Sequence, residues 1–349
     1  MGKYIHIGFP KNLSTTLQRG FFSQHPEIFH LGVGINTNID YIDENINLSC
    51  EQFFQYSKGF VYNSKREYIH NSFEKWFDYF EGEKRYKITG ISLELLSFSW
   101  TPEQIDTAEK ARRVFDVFGK NTKIIILIRN QHDLLKSLYR EAIKLGYFGD
   151  FNDFMKYTYI YQDRNFLHDF LYDNIFLLYS KYFGEENICM IPIEDVRNAD
   201  GTLKLNEIGK NLLVLKLCKL LNVNYYDLEL GHYNEPLSTY QLAIKRRLNK
   251  INRHDLGNPV FGPSANSHRL KYYYNNFLKM NLKEAEIFKD VIIKRDLIKK
   301  ASCSSFKINH KIGYNYDRDI KKRLDTLFSK SNYNLSKLLN RQLPDKYIL

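Results

Sequence analysis

The chain of 349 residues carries 51 Lys and Arg against 40 Asp and Glu, a formal net charge of +11, with 43% hydrophobic and 26% charged residues. These proportions exclude a disordered chain and suit a globular one long enough to bury a full core. The positive balance favours anionic partners, yet the basic residues alternate with acids. The densest clusters, Lys245-Arg246-Arg247 and Lys321-Lys322-Arg323, read as solvated helix faces, so nucleic acid is not an expected partner.

In chain order, "KYIHIG" (3–8) is an apolar strand that turns at Gly8 and Pro10 into a loop holding Lys11, Ser14, Thr15 and Thr16. "YKITGIS" (86–92) is a second strand-like run. "TPEQIDTAEKARRVFDVFG" predicts a helix capped by Thr101, with Pro102 at its first position, Gln104 closing a capping box and Gly119 ending it. "KIIILI" (123–128) lacks polar alternation, as in a strand covered on both faces. "QHDLLKSLYREAIKLG" (131–146) places apolar residues at 134, 135, 138, 142 and 145, a helical stripe ending in Gly146, and "NICMIP" (187–192) is a further strand. Strands alternating with helices predict a three-layer α/β fold with a central parallel sheet. The reading is one domain over 1–349: an α/β nucleotide-binding core over 1–200, and mostly helical additions over 201–349 wrapping the core and the acceptor cleft.

Cys50, Cys189, Cys218 and Cys303 show neither metal-ligand spacing nor a disulfide framework, so no metal is expected and a reducing cytoplasm fits. No apolar run approaches a membrane span. Strand residues begin at position 4, and His6 stands where a myristoylation signal needs Ser or Thr. The expected location is cytoplasmic, with no integral membrane segment.

A strand, a tight loop and a helix start present backbone N–H groups and a positive dipole end to an anion. Lys11 adds a mobile charge, and Ser14, Thr15 and Thr16 add hydroxyl donors. A nucleotide triphosphatase needs G-x-x-x-x-G-K-[ST], with Lys directly before the hydroxyl. Here Lys11 precedes Ser14 by three positions and no second glycine precedes it, so the loop is P-loop-like but not a Walker site. In "ILIRNQHDLLKSLY", Arg129 ends a buried strand and Ser137 follows eight residues later in the next helix. In a parallel sheet both segments reach the carboxyl edge, where ligands bind in such folds. Two anion sites at one edge suit a nucleotide with phosphates at both ends of its ribose.

"FPKNLSTTLQ" resembles the 5′-phosphosulfate loop of the PAPS-dependent sulfotransferases, and "RNQHDLLKSLY" resembles their 3′-phosphate motif. The flavour is that of bacterial, carbohydrate-type members. The resemblance continues through "LLYSKYFGEENICMIPIEDV" (177–196), "LCKLLNV" (217–223) and "SKSNYNLSKLL" (329–339). It implies sulfuryl transfer from 3′-phosphoadenosine-5′-phosphosulfate (PAPS) to an acceptor hydroxyl, with release of PAP; the expected acceptor is a saccharide or glycoconjugate. It implies that Lys11, Asn12, Leu13, Ser14, Thr15 and Thr16 bind the 5′-phosphosulfate and that Arg129 and Ser137 bind the 3′-phosphate. "ISLELLS" is similar to the segment that carries a catalytic Glu in related carbohydrate sulfotransferases, which makes Glu94 the expected general base; His30, in "IFHLG", is the alternative. Leu13 departs from the Gly or Ala usual in the family, Ser14 from Thr, and Gln131 from Pro. A loop that needs glycine's conformational freedom at position 13 would not find it in Leu13. Two other readings stay open: a catalytically inactive sulfotransferase-like binding protein, and an ATP-dependent phosphotransferase. Segments 36–80 and 252–316 are expected to shape the acceptor cleft.

Overall fold

The structure, a computed structural model, describes residues 2–33, 41–100, 104–144, 146–163, 166–231, 237–251, 311–315 and 317–348. Thr101, Pro102, Leu145 and Cys303 lie outside the described residues, as does 252–310, most of the segment 252–316 expected to shape the acceptor cleft. The chain divides into two compact units, one made of Met1–Gln131, Gln162–Asn234 and Leu324–Leu349, the other of His132–Tyr161 and Glu235–Arg323.

The first unit holds a five-stranded, all-parallel sheet: β1 (Gly2–Gly8), β2 (Ile28–Val33), β3 (Ile88–Ser92), β4 (Thr122–Ile128) and β5 (Ile188–Pro192), in the spatial order β2-β3-β1-β4-β5. It confirms the α/β class and the four strands read from the apolar runs, and adds β2. Alternate residues of β1 and β4 point to opposite faces. On one face, Tyr4, Ile125 and Leu127 join Leu17, Phe21, Phe22, Leu213, Val214 and Leu217 in a single core, under the helical segment after β1 and the helix Leu212–Leu221. The remaining β4 residues Ile124, Ile126 and Ile128 are equally buried. The helix Tyr172–Phe183 packs on β4 and β5 and against the helix Thr107–Phe118. Burial on both faces explains the unbroken apolar run of β4.

The helix expected to start at Thr101 begins at Thr107. Asp106 is its N-cap, accepting from Glu109 N at 2.9 Å, so "DTAE" supplies the first-turn signal. The Gln104 side chain instead accepts from Trp100 N and donates to Gln55 Oε1. Gly119 ends the helix at φ 76°, as its sequence position predicts.

In the second unit, the helix Gln131–Lys144 buries the expected stripe Leu134, Leu135, Leu138 and Ala142. Asn249 Nδ2, on the helix Thr239–Ile251, donates to Ile143 O and Tyr147 O at 2.7 and 2.9 Å, and Arg246 Nη1 donates to Tyr139 OH at 3.2 Å. Lys245 is buried here, so the solvated-face reading fails for it. The reading holds for Lys321, Lys322 and Arg323, which are exposed.

Candidate active site

β1 lies between β3 and β4, and the chain leaves β1 toward β2 and β3 before crossing to β4 and β5. This reversal creates a switch point at the carboxyl end of β1, the usual place for a ligand in an open parallel sheet. The loop Phe9–Leu13 sits there. Phe9 N donates to Leu127 O at 2.9 Å, and Asn12 Nδ2 donates to the same oxygen at 2.9 Å, so one β4 carbonyl fixes both ends of the loop's turn. Ser14 Oγ donates to Phe9 O at 3.2 Å and closes the loop on itself.

Lys11 and Leu13 both occupy the left-handed region, at φ 66° and 64°. The conformation that favours glycine at position 13 is therefore adopted by leucine, at a cost of roughly 1–2 kcal/mol. Leu13 (left-handed) followed by helical Ser14 is a pair of alternating handedness, which turns successive N–H groups into one concavity suited to an anion. The short helix Ser14–Thr16 runs without a break into a π-helical segment, Leu17–Phe22. Lys11, Thr15 and Thr16 are half-buried, whereas Asn12 and Ser14 are buried.

Gly8, at φ 119°, is the close-approach point. A Cβ at this position would stand 2.7 Å from Glu94 O and 2.7 Å from Ser97 Oγ. Ser97 N donates to Ile7 O at 3.1 Å and Leu93 N to His6 O at 2.8 Å, so the chain leaving β3 is laced to the end of β1. The Glu94 backbone thereby reaches the loop, with its side chain half-exposed. The next residues are held by a buried lysine that the sequence did not single out. Lys110 Nζ donates to Leu95 O at 2.8 Å, Phe98 O at 2.7 Å and Ser99 Oγ at 3.3 Å, and Asp169 accepts from Ser99 N at 2.9 Å and Thr107 Oγ1 at 2.8 Å. Burial pulls the Lys110 amine below its ordinary value and pushes the Asp169 carboxyl above its own.

Arg129 directly follows β4, the strand whose Leu127 carbonyl receives the loop's hydrogen bonds. Its carbonyl accepts from Tyr172 OH at 2.7 Å. Its guanidinium is half-buried and forms no ion pair among the described residues. Ser137 lies about two turns into the helix Gln131–Lys144, half-buried, in the second unit.

His30 is not brought to the loop. It pairs with Gly90, which pairs with Tyr4, four residues before Gly8 on β1. That places it about 13 Å back along the strand direction and two strands across. Its ring stacks on Phe22 at 5.5 Å with Nδ1 2.7 Å from Tyr4 OH, and burial holds the imidazole neutral, at about 3. Under the helical segment lies a second polar group that sequence reasoning passed over. Ser92 Oγ is 2.6 Å from His6 Nδ1 and accepts from Gln18 Nε2 at 3.0 Å, all three residues being buried. A run such as "KYIHIG" marks His6 as a core histidine, but nothing in it names the partners.

The described residues contain no group of three or more His, Cys, Asp or Glu placed to hold a metal, and no described helix is long and apolar enough to cross a membrane.

No protein-family model matches the chain, and no curated protein matches it in sequence. Among solved structures, the crystal structure of a sulfotransferase from Alicyclobacillus acidocaldarius is similar to it at a TM-score of 0.49 and 13% identity, over 99% of this chain and 98% of that one.

Proposed function

We propose that the protein transfers a sulfuryl group from PAPS to a hydroxyl of a saccharide or glycoconjugate acceptor, releasing PAP. One observation carries this reading. The loop Phe9–Thr16, with its hydroxyls, its anion-ready backbone and Lys11, stands on β1, while Arg129, without an acidic partner among the described residues, ends the adjacent strand β4. This arrangement fits a nucleotide phosphorylated at both the 5′ and 3′ positions, which is the donor implied by the two sequence motifs. It does not favour ATP, which has no 3′-phosphate to engage Arg129.

In this reading the backbone of Leu13, Ser14 and Thr15 and the hydroxyls of Thr15 and Thr16 hold the 5′-phosphosulfate, with Asn12 and the Ser14 hydroxyl bracing the turn. Lys11 stabilises the charge that grows on the departing phosphate oxygens, and Arg129 holds the 3′-phosphate. Glu94 takes the proton of the acceptor hydroxyl as its oxygen bonds to sulfur and the sulfur–phosphate oxygen bond breaks. The chemistry is an in-line displacement that depends on positioning and charge stabilisation. Ser137 enters on its motif alone, and Ser137→Ala tests it separately.

The deciding experiment is thermal unfolding of the purified protein with PAP, ADP and ATP side by side. Binding to the folded state raises stability by RT ln(1 + [L]/Kd). Stabilisation by PAP well beyond that by ADP and ATP is expected; preference for ATP, or no response to PAP, overturns the proposal. In turnover with PAPS, Lys11→Ala is expected to lose roughly 10²–10³ in rate. Glu94→Gln is expected to keep PAP affinity and lose roughly 10²–10⁴ in rate. Unchanged turnover in Glu94→Gln removes that residue from the base role, and absence of turnover throughout a full acceptor screen, with PAP bound normally, identifies an inactive binding protein.

A further inference from the structure

β5 ends at Pro192, paired with Ile128 of β4, and a short helix, Ile193–Val196, leads from it to Arg197. Arg129 therefore directly follows β4, and Arg197 stands one short helix beyond the end of the neighbouring strand β5. Three acids follow β5, and each is engaged elsewhere. Glu194 accepts from Asn130 N at 3.1 Å and Tyr347 OH at 2.9 Å. Asp195 meets Lys216 at 3.4 Å and Arg341 at 2.6 Å. Asp200 accepts from Thr202 N and Thr202 Oγ1 at 2.8 and 2.7 Å. Neither Arg129 nor Arg197 forms an ion pair among the described residues.

Arg197 is held in place. Its backbone bridges Leu203, Asn198 N donates to Thr202 O at 2.8 Å, and Gly201 N donates to Asn198 O at 3.1 Å. Arg197 Nε donates to Gly201 O at 2.8 Å, and a Cβ at Gly201 (φ 96°) would stand 2.8 Å from Arg197 Nη2. Only a residue without a side chain leaves room for the guanidinium to lie across that turn. One donor is thus spent on fixing the group, and among the described residues the fork of remaining donors meets no acceptor. Burial first, then the charge of Arg129, push the Arg197 guanidinium below its ordinary value, with Asp200 opposing. Two half-buried like charges at one edge destabilise the empty site and favour a compact, doubly charged anion.

We propose that Arg197 is a second ligand of the anion held at Arg129, and that the two arginines together select a phosphomonoester dianion, the 3′-phosphate of the nucleotide. This rests on the sulfotransferase reading and adds a residue that neither phosphate motif contains.

The test is calorimetric titration of wild type, Arg197→Met and Arg197→Lys with PAP and with 5′-AMP, which lacks the 3′-phosphate, alongside melting of each protein without nucleotide. Arg197→Met is expected to lose roughly 10- to 100-fold in PAP affinity, to bind 5′-AMP as wild type does, and to melt no lower than wild type when empty. Arg197→Lys should fall between, keeping the charge and losing the fork. Wild type preferring PAP while Arg197→Met keeps that preference in full overturns the role of Arg197 and leaves the functional reading standing. Wild type binding PAP and 5′-AMP alike overturns both. An Arg197→Met protein that melts well below wild type, together with an Arg197→Lys protein that binds PAP normally, assigns Arg197 to the turn alone.

Discussion

At the scale of single residues, Leu13 shows how a local rule is broken where a site is built. A left-handed position favours Gly or Asn, and a leucine there is strained unless its surroundings hold it. Here the Leu13 side chain packs against the core beneath the sheet and Leu13 O accepts from Leu17 N at 2.9 Å. Burial of the side chain offsets part of the backbone cost. Two substitutions separate these terms. Leu13→Gly keeps the loop conformation accessible and is expected to retain PAP binding. Leu13→Val adds β-branching at a positive φ and is expected to lower both the melting temperature and PAP affinity. Equal PAP affinity in the two variants, measured by titration, would show that the left-handed conformation is not needed for binding.

At the scale of elements, four of the five strands were legible because each is an apolar run with turn residues at its ends. β2 was not. Its "IFHLGV" is short, carries His30 and Gly32, and lies at the edge of the sheet, where the run need not be purely apolar. The helix ending at Gly119 was legible at its end but not at its start, because two capping signals, at Thr101 and Asp106, compete within six residues, and only the tertiary contacts of Gln104 show which one caps. The tight turn after β1 and the position of Arg129 at the end of β4 were readable from residue type and spacing. Their support was not, since Lys110 looks like one more charge on an amphipathic helix until its three acceptors are seen. Lys110 Nζ donates to Leu95 O and Phe98 O, and leaving such buried acceptors unsatisfied costs roughly 1–3 kcal/mol. Lys110→Met is therefore expected to destabilise by an amount in that range. Pairing it with Asp169→Asn should recover part of the loss, and urea unfolding of the two single variants and the double gives the coupling. Simple additivity in that cycle would mean that Lys110 and Asp169 act independently on the Leu95–Ser99 segment.

At the scale of the whole molecule, the buried histidines give the fold a sensitivity to acid. The His6 imidazole is held at about 3 by burial and by the neighbouring His30, below its ordinary 6.5. The unfolded chain thus binds a proton that the folded chain refuses between about pH 6.5 and 3, and stability is lost as the pH falls through that window. At pH 5 the penalty from His6 alone is about 2 kcal/mol. His6→Phe, which keeps the ring volume next to Phe22, should lose less stability between pH 7 and pH 5 than wild type. Parallel pH profiles for the two proteins would show that His6 is not the group responsible. Above pH 7 the contribution is complete, and no further gain from His6 is expected.

The Leu127 carbonyl is one oxygen with two obligations, to the Phe9 amide and to the Asn12 side chain. For an engineer this makes Asn12 a tuning screw. Shortening or deleting its amide would loosen the loop Phe9–Leu13 from the strand that leads to Arg129 without altering Lys11, Thr15, Thr16 or Arg129. Under the proposed function, grip on the donor and speed of its release could then be traded against each other from a side chain that is turned to β4.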